Sequence, residues 1–551
     1  MPLYTSSVAG SRQVRSRILV HLLPLCLVLL HLAAKAQTPS PAKSLGGRVV
    51  LVLPFDNRSG QPNLDWIGDS FPDTLSERLS SSGFLTITRE DRLFALDHLG
   101  LPAGFKPTRA TTIRMAQTLD ADFVVVGNFT TQGARIAVQA QVLRVNELRL
   151  SSPLADSSEL SRLFDVENAL AWKVAKEIDP GFSVSEQTFL SASSGVKLSS
   201  FENYIRGTAA ASPQERIKRL QSAVTETPTY AAAILALGKS LYAQREYDRA
   251  AATLAKMPAS DRRALEAQFY IGLARVNTAR YADAEAAFRL VAARLPLPEV
   301  INNQGVASSR QGHDAAAFFE RAVAADPNDA DFHYNLAVAL LRRGDLPGAQ
   351  REAAAALKLR PADTEIQALR DHLATGKVTL ASSTRTDLPD PDSFAPLERI
   401  RRTYSEVSFR QAAFQLAQMR DLRLATLPPA ERAAQYTQQG RDYLSQGLLP
   451  ESETEFRKAI AADPSSPSSH AGLAQMREQS GNPADARNEA QTSLRLHPNV
   501  AAYLVLARLE LSANQLAASA SDVGNALRLE PGNTAALGMK QALQARGQIL
   551  P

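Results

Sequence analysis

Between residues 230 and 547 the chain repeats itself with a period near 34, and that period decides how this part can fold. Gly238 and Gly272 are 34 apart, as are Pro327 and Pro361, and Pro464 and Pro498; Pro498 and Pro531 are 33 apart. The segments "AAFRLVAARLP", "AFFERAVAADP" and "TEFRKAIAADP" share an aromatic, then an Ala or Val three residues on, then a Pro. "LAVALLRRGDLPGAQREAAAALKLRP" keeps the frame with smaller side chains. A unit of this length cannot bury a core alone. It has to stack on its neighbours, two helices at a time.

This pattern resembles the tetratricopeptide repeat over roughly 230–361 and 430–547. The resemblance implies two antiparallel helices per repeat, wound into a superhelix. Gly238, Gly272 and Gly305 then sit where the two helices of a repeat cross closely, and Ala250, Ala284 and Ala349 face them from the second helix. Phe288, Phe319 and Phe456 fill the space between repeats, and the Pro begins the turn into the next one. The Trp usual on the first helix of this family is missing throughout. "VTLASSTRTDLPDPDSFAPLE" (Val378–Glu398) reads as a loop between two runs of repeats, after which the helix "YSEVSFRQAAFQLAQMRDLRLATL" restarts the array.

Ahead of the repeats, from Val49 to about Pro180, the pattern is mixed α/β. "VVLVLPF" is a continuous apolar run, as in a strand covered on both faces. Pro72 is tolerated in a first helical turn but not deep in a helix, which predicts a helix from Ser70 to Ser82 with Phe71, Leu75 and Leu79 inward. "FLTIT" and "DFVVVGNF" read as strands, "EDRLFALDHLG" and "RATTIRMAQTLDA" as short helices. "RIAVQAQVLRV" alternates, placing Ile136, Val138, Ala140 and Val142 on one face of a strand that pairs through a Gln132-Gly133 turn. Leu163, Val166, Leu170, Val174 and Ile178 mark a closing helix.

The stretches "VVLVLPFDNRSG", "WIGDSFPDTLSERL" and "ADFVVVGNF" resemble the TolB N-terminal-like or CsgG-like α/β domain of bacterial envelope proteins, and "FENYIRG" (Phe201–Gly207) resembles the segment that joins it to tetratricopeptide repeats. That resemblance implies an exported accessory domain and names no catalytic residue. The expected architecture is multidomain: an N-terminal α/β (α+β) domain followed by an all-α tetratricopeptide superhelical solenoid. Its expected parts are a signal peptide (1–36), a linker (37–46), the α/β domain (47–182), a Ser-rich joint (183–199), a first array (200–377), a loop (378–398) and a second array (399–551).

The strand–loop–helix from Gly47 to Ser70 has the layout of a phosphate cradle but not its chemistry. A cradle needs converging backbone N–H groups, several glycines and usually a Lys. This loop has Gly60 alone and no GK[ST]. A small polar pocket lined by Asp56, Asn57, Arg58 and Trp66 is the alternative to a purely structural connection. His98, His313, His333, His372, His470 and His497 are not at metal-ligand spacing, and no HExxH, GxSxG or CxxC occurs. No catalytic residue, metal site or cofactor is expected, and the protein is read as not an enzyme.

Arg12, Arg15 and Arg17 precede the uncharged run Ile18–Ala34, and Ala34 and Ala36 are spaced as a signal peptidase requires. Cleavage after Ala36 and residence in the periplasm or cell envelope are expected. Cys26 lies inside the run without the small neighbour of lipoprotein processing, so the mature chain has no thiol. Lys35 and the three Arg account for all but one unit of the formal net charge of +5, leaving no basic surface for nucleic acid. The expected function is an exported, non-enzymatic scaffold that binds protein or peptide partners through the repeats, with outer-membrane or envelope association; the alternative is an envelope sensor using the α/β domain to bind a ligand. Counting three before, one after and five after each crossing small residue gives the expected concave face: Leu235, Lys239 and Ala243 with Tyr242 adjacent; Phe269, Leu273 and Asn277; Tyr334, Val338 and Arg342.

Overall fold

The computed structural model describes residues 48–102, 104–191, 195–376, 395–402 and 406–550. The expected signal peptide with its cleavage site and Cys26, the linker 37–46 and most of the 378–398 loop lie outside these residues. β1 (Val49–Val52) is flanked in parallel by β3 (Leu85–Thr86) and β4 (Phe123–Gln132), and β2 (Asp56–Asn57) also pairs with β4. β5 (Arg135–Arg144) runs antiparallel to β4 across the Gln132-Gly133 turn, then pairs with β6 (Arg149–Leu150) and β7 (Leu154–Glu159).

β1 is covered on both sides, as its unbroken apolar run requires. Val50 and Val52 face the helices Asp65–Ser81 and Leu163–Ile178; Leu51 and Leu53 face Arg89–His98 and Arg109–Thr118. Ile136, Val138, Ala140 and Val142 all enter the first of these layers. The edge strand β7 was not expected. "LADSSE" alternates only between half-buried and exposed, so it carries little apolar signal.

The first helix corrects the sequence expectation. It begins at Asp65 rather than Ser70, and Pro72 lies within it. A Pro inside a helix leaves the carbonyl four residues back without a donor. That carbonyl belongs to Gly68, and it accepts the Phe55 N–H at 3.0 Å instead. The approach is close enough that a Cβ on Gly68 would lie 2.2 Å from the Phe55 carbonyl oxygen. Gly68 and Pro72 thus act together: one admits the strand's backbone, the other leaves a carbonyl for it.

The α/β core continues into the helices that follow. Phe182, Val184, Phe189, Phe201 and Ile205 belong to the same apolar cluster as the sheet, and Trp66 meets Phe201 edge-on at 6.2 Å. The stretch 183–199 carries the helix Glu186–Ser191. Its Thr188 donates to Glu453 of the second run of repeats at 2.6 Å, and Arg263 of the first run meets Glu77 at 2.8 Å.

Helix pairs follow from Leu198–Ala209 with Pro213–Glu226 to Val500–Ser512 with Leu516–Leu529, capped by Thr534–Ala545. The crossing glycines behave as their spacing implies: a Cβ on Gly238 would lie 2.4 Å from Leu254, and one on Gly272 2.6 Å from Phe288. Phe288, Phe319 and Phe456 are fully buried, as are Ala250, Ala284 and Ala349. Among the described residues no helix is long and apolar enough to cross a membrane.

Candidate functional site

The first helices of three successive repeats, Pro298–Ser309, Ala330–Arg343 and Thr364–Ala374, present polar side chains to one segment, residues 395–402, the first two to its backbone and the third to the Arg399 side chain. Asn335 is fully buried, and its carboxamide pairs with both backbone groups of one residue. Nδ2 donates to the Arg399 carbonyl at 2.7 Å and Oδ1 accepts the Arg399 N–H at 2.6 Å. Asn303, also fully buried, does the same for Arg401, with both distances at 2.8 Å. Asn302 donates to the Arg399 carbonyl at 3.1 Å and accepts from Asn335 at 2.7 Å. A carboxamide carries one acceptor and one donor side by side, so it matches the N–H and C=O of a single residue. In an extended chain these groups point the same way at every second residue. Asn335 and Asn303 therefore read residues 399 and 401 of an extended strand.

The side chains of that strand are sorted by charge. Glu398 is buried and meets Arg342, Arg310 (3.2 Å) and the Ser309 hydroxyl. Arg342 and Arg310 also donate to the Pro396 and Glu398 carbonyls at 3.0 and 3.1 Å. Arg399 lies 4.2 Å over the Tyr334 ring and meets Asp331 (2.9 Å), Asp363 (2.7 Å) and Glu365 (2.7 Å). Arg401 pairs with Asp329 and with Asp331 (3.3 Å), and stands over Phe332 at 5.3 Å. Ile400 packs on the two apolar clusters that hold Val338 and Leu273.

Asp329 and Asp363 serve twice, since each caps the N-terminus of a helix and grips an arginine. The hydrogen bond from Arg399 is the main reason the Asp363 carboxyl is held down at about 2. Burial pushes the Tyr334 hydroxyl up to about 12 against the pull of Arg399.

The expected concave residues fall in three places. Tyr334 and Arg342 touch the strand directly. Leu273 and Val338 are fully buried within the clusters beneath Ile400, while Phe269 and Leu235 are enclosed in helix packing. Lys239, Tyr242 and Asn277 lie earlier in the array: Lys239 pairs with Glu266 at 3.0 Å, and Asn277 donates to the Tyr242 hydroxyl at 3.4 Å. The spacing rule omitted Asn302, Asn303, Asn335 and the acids Asp329, Asp331 and Asp363. The signal was there in part: Asn303 and Asn335 both stand two residues before a crossing small residue, Gly305 and Ala337.

The polar pocket expected at Asp56, Asn57, Arg58 and Trp66 does not converge. Asp56 and Arg58 are exposed, with Lys106 3.8 Å from Asp56. Asn57 is used up within its own loop, donating to Asp65 at 2.7 Å and the Gln61 carbonyl at 2.8 Å. Trp66 is buried in the apolar layer beneath. Short polar side chains next to a turn bond their own backbone first.

The second run of repeats keeps the frame of the first without its reading groups. His333 and His470 are equivalent: Nδ1 pairs with Glu352 or Glu489 at 2.7 Å, and Nε2 with the Pro327 or Pro464 carbonyl at 3.0 or 3.1 Å. Aligned on these histidines, Ser468, Ala471, Gly472 and Gln479 stand where Asp331, Tyr334, Asn335 and Arg342 do.

Two family models of the tetratricopeptide repeat match the chain, one at residues 307–373 and one at 235–297, 437–490 and 477–534. No curated protein sequence matches it. Among solved structures it is similar to residues 41 to the end of MamA from Desulfovibrio magneticus RS-1, with 17% identity over 30% of this chain and 98% of that one, at a TM-score of 0.29. It is also similar to the C-terminal domain of LpoB from Salmonella enterica, with 21% identity over 24% of this chain and 93% of that one, at 0.18. For a thermophilic tetratricopeptide protein of Thermus thermophilus the values are 17%, 32%, 99% and 0.26. The chain carries tetratricopeptide repeats within residues 235–534, behind a mixed α/β region.

Proposed function

We propose that the protein is an exported, non-enzymatic scaffold of the cell envelope, and that the groove of the first array is where it takes hold of partner proteins through an extended segment. The observation that supports this is the pair of buried carboxamides, Asn303 and Asn335, each pairing with both backbone groups of one residue. Such a device recognises a strand by its main chain and leaves the flanking charges to select the sequence. Export rests on the Arg-led apolar run ending at Ala36. The α/β region serves as a TolB-like or CsgG-like accessory domain packed against both arrays. Affinity capture from envelope fractions tests the reading, comparing the mature chain with one carrying Asn303→Ala and Asn335→Ala. Partners lost from the double variant support it; partners recovered equally by both chains place binding elsewhere.

A further inference from the structure

We infer that residues 396–401, Pro-Leu-Glu-Arg-Ile-Arg, are an internal ligand of the first array, and that the partner recognised there is an extended peptide with the same order of charges: an acid, an arginine, an aliphatic residue, an arginine. The inference rests on the groove being a peptide-binding site and names what it binds and what it must displace.

Three observations carry it. The backbone of the segment is held at alternate residues by side chains of the array, which is how a strand is read, whereas two packed apolar surfaces need no such reading. The groove is polarised along its length: Arg310 and Arg342 surround Glu398, and Asp329, Asp331, Asp363 and Glu365 surround the two arginines. A strand of opposite direction would set like charges against each other, so the groove selects orientation as well as composition. Finally, hydrogen bonds and ion pairs are the larger part of the contacts. Ile400 packs on two apolar clusters and Pro396 is buried, but Leu397 is 57% exposed. Hydrogen bonds and ion pairs of this kind are offered equally by a separate peptide, so a partner can replace the resident at little net cost once its local concentration is high.

The test uses the whole chain and a fluorescent peptide copying residues 395–402, followed by anisotropy. The comparison chain carries Arg399→Glu and Arg401→Glu, which sets four carboxylates against two and expels the resident while leaving the groove untouched. A second chain, with 396–401 replaced by Gly and Ser, adds no charge to the groove and serves if the first is misfolded. The expected result is at least tenfold tighter binding to the emptied chains than to the natural one, no binding of the reversed-sequence peptide, and loss of binding when Asn303→Ala and Asn335→Ala are added. Equal binding to natural and emptied chains overturns the internal-ligand assignment and leaves the groove as a peptide site. Binding to neither, with thermal unfolding unchanged, overturns both. A concentration-dependent dimer of the natural chain that is lost in the emptied ones places the segment of a second copy in the groove, and overturns occupation in cis.

Discussion

Asn335 closes both backbone hydrogen bonds of Arg399, 64 positions away in sequence, with a single carboxamide. Asn335→Ala removes both at once; the carbonyl keeps its bond from Asn302 at 3.1 Å, while the N–H loses its acceptor. A buried N–H or C=O left without its partner costs about 1–3 kcal/mol, so the Arg399 amide should exchange with solvent roughly ten- to a hundredfold faster, by the usual conversion of 1.4 kcal/mol to a factor of ten. Asn335→Asp keeps the acceptor, loses the donor and adds a charge beside Asp331 and Asp363. It should be worse than alanine. Unchanged exchange at Arg399 in both variants would remove Asn335 from the recognition of the strand.

The Gly68–Pro72 pair makes a contrast within one helix. Gly68→Ala drives a Cβ against the Phe55 carbonyl, and backbone cannot swing aside as a flexible side chain can. The cost should reach about 3 kcal/mol, at the upper end of what overpacking brings. Pro72→Ala should give back less than the ~3 kcal/mol that removing a mid-helix proline ordinarily returns, because the Gly68 carbonyl already accepts one hydrogen bond and gains only a second. Urea denaturation of the two variants separates the effects. A strongly stabilised Pro72→Ala chain would show that the Phe55 bond contributes nothing.

Glu167 sets a pH dependence. Its carboxylate is fully buried, and burial pushes it up from 4.5 to about 7, against the pull of the Ser70 and Thr74 hydroxyls that donate to it. Between those values the folded chain keeps a proton that the unfolded chain has lost. Stability therefore falls as pH rises through that window and levels off above it. Asp73, pushed up by burial from 3.8 to about 6, acts in the same direction at slightly lower pH. Glu167→Gln cannot titrate, so its loss of stability between pH 5 and 7.5 should be smaller than that of the natural chain by on the order of 1–3 kcal/mol. An identical slope in both chains would show that Glu167 keeps its ordinary titration.

Glu453 ties the second array to the α/β region. Its side chain is fully buried and accepts from Ser185 N (3.2 Å), Thr188 (2.6 Å), Arg457 (2.9 Å) and Arg477 (2.7 Å). Glu453→Ala leaves the Arg477 guanidinium, itself only 4% exposed, with Asp485 at 4.0 Å in place of its close partner, at a cost of about 3 kcal/mol. Limited proteolysis should then cut first within 183–199. If the first cuts stay where they are in the natural chain, Glu453 does not hold that contact.

Export predicts a mature protein that begins at Gln37. Intact-mass measurement on protein recovered from the envelope reads this directly, and retention of Met1 would move the protein to the inner membrane.

What could be read in the sequence was whatever depends on near neighbours or on a repeated spacing. Gly238 and Gly272 could be assigned to helix crossings because their period says so, and β1 to a doubly covered strand because its apolar run is unbroken. The start of the first helix could not, since the tolerance for Pro72 comes from Phe55, seventeen residues back on another element. Of the residues expected on the concave face, Tyr334 and Arg342 are the ones that touch residues 395–402 directly. The residues that hold the strand's backbone are asparagines, whose role depends on how a carboxamide is aimed at a segment distant in sequence. The occupant itself carried the composition of a loop, and nothing local distinguishes a strand bound in a groove from one in solvent.

The histidine that pins each first helix, His333 in one array and His470 in the other, has a corollary for how this molecule can change. Stacking and recognition are coupled in the second array: Gly472 stands at the position of Asn335, and a Cβ there would lie 2.2 Å from the buried Phe456 ring. Restoring a reading carboxamide to that repeat would therefore require the aromatic beneath it to shrink in the same step.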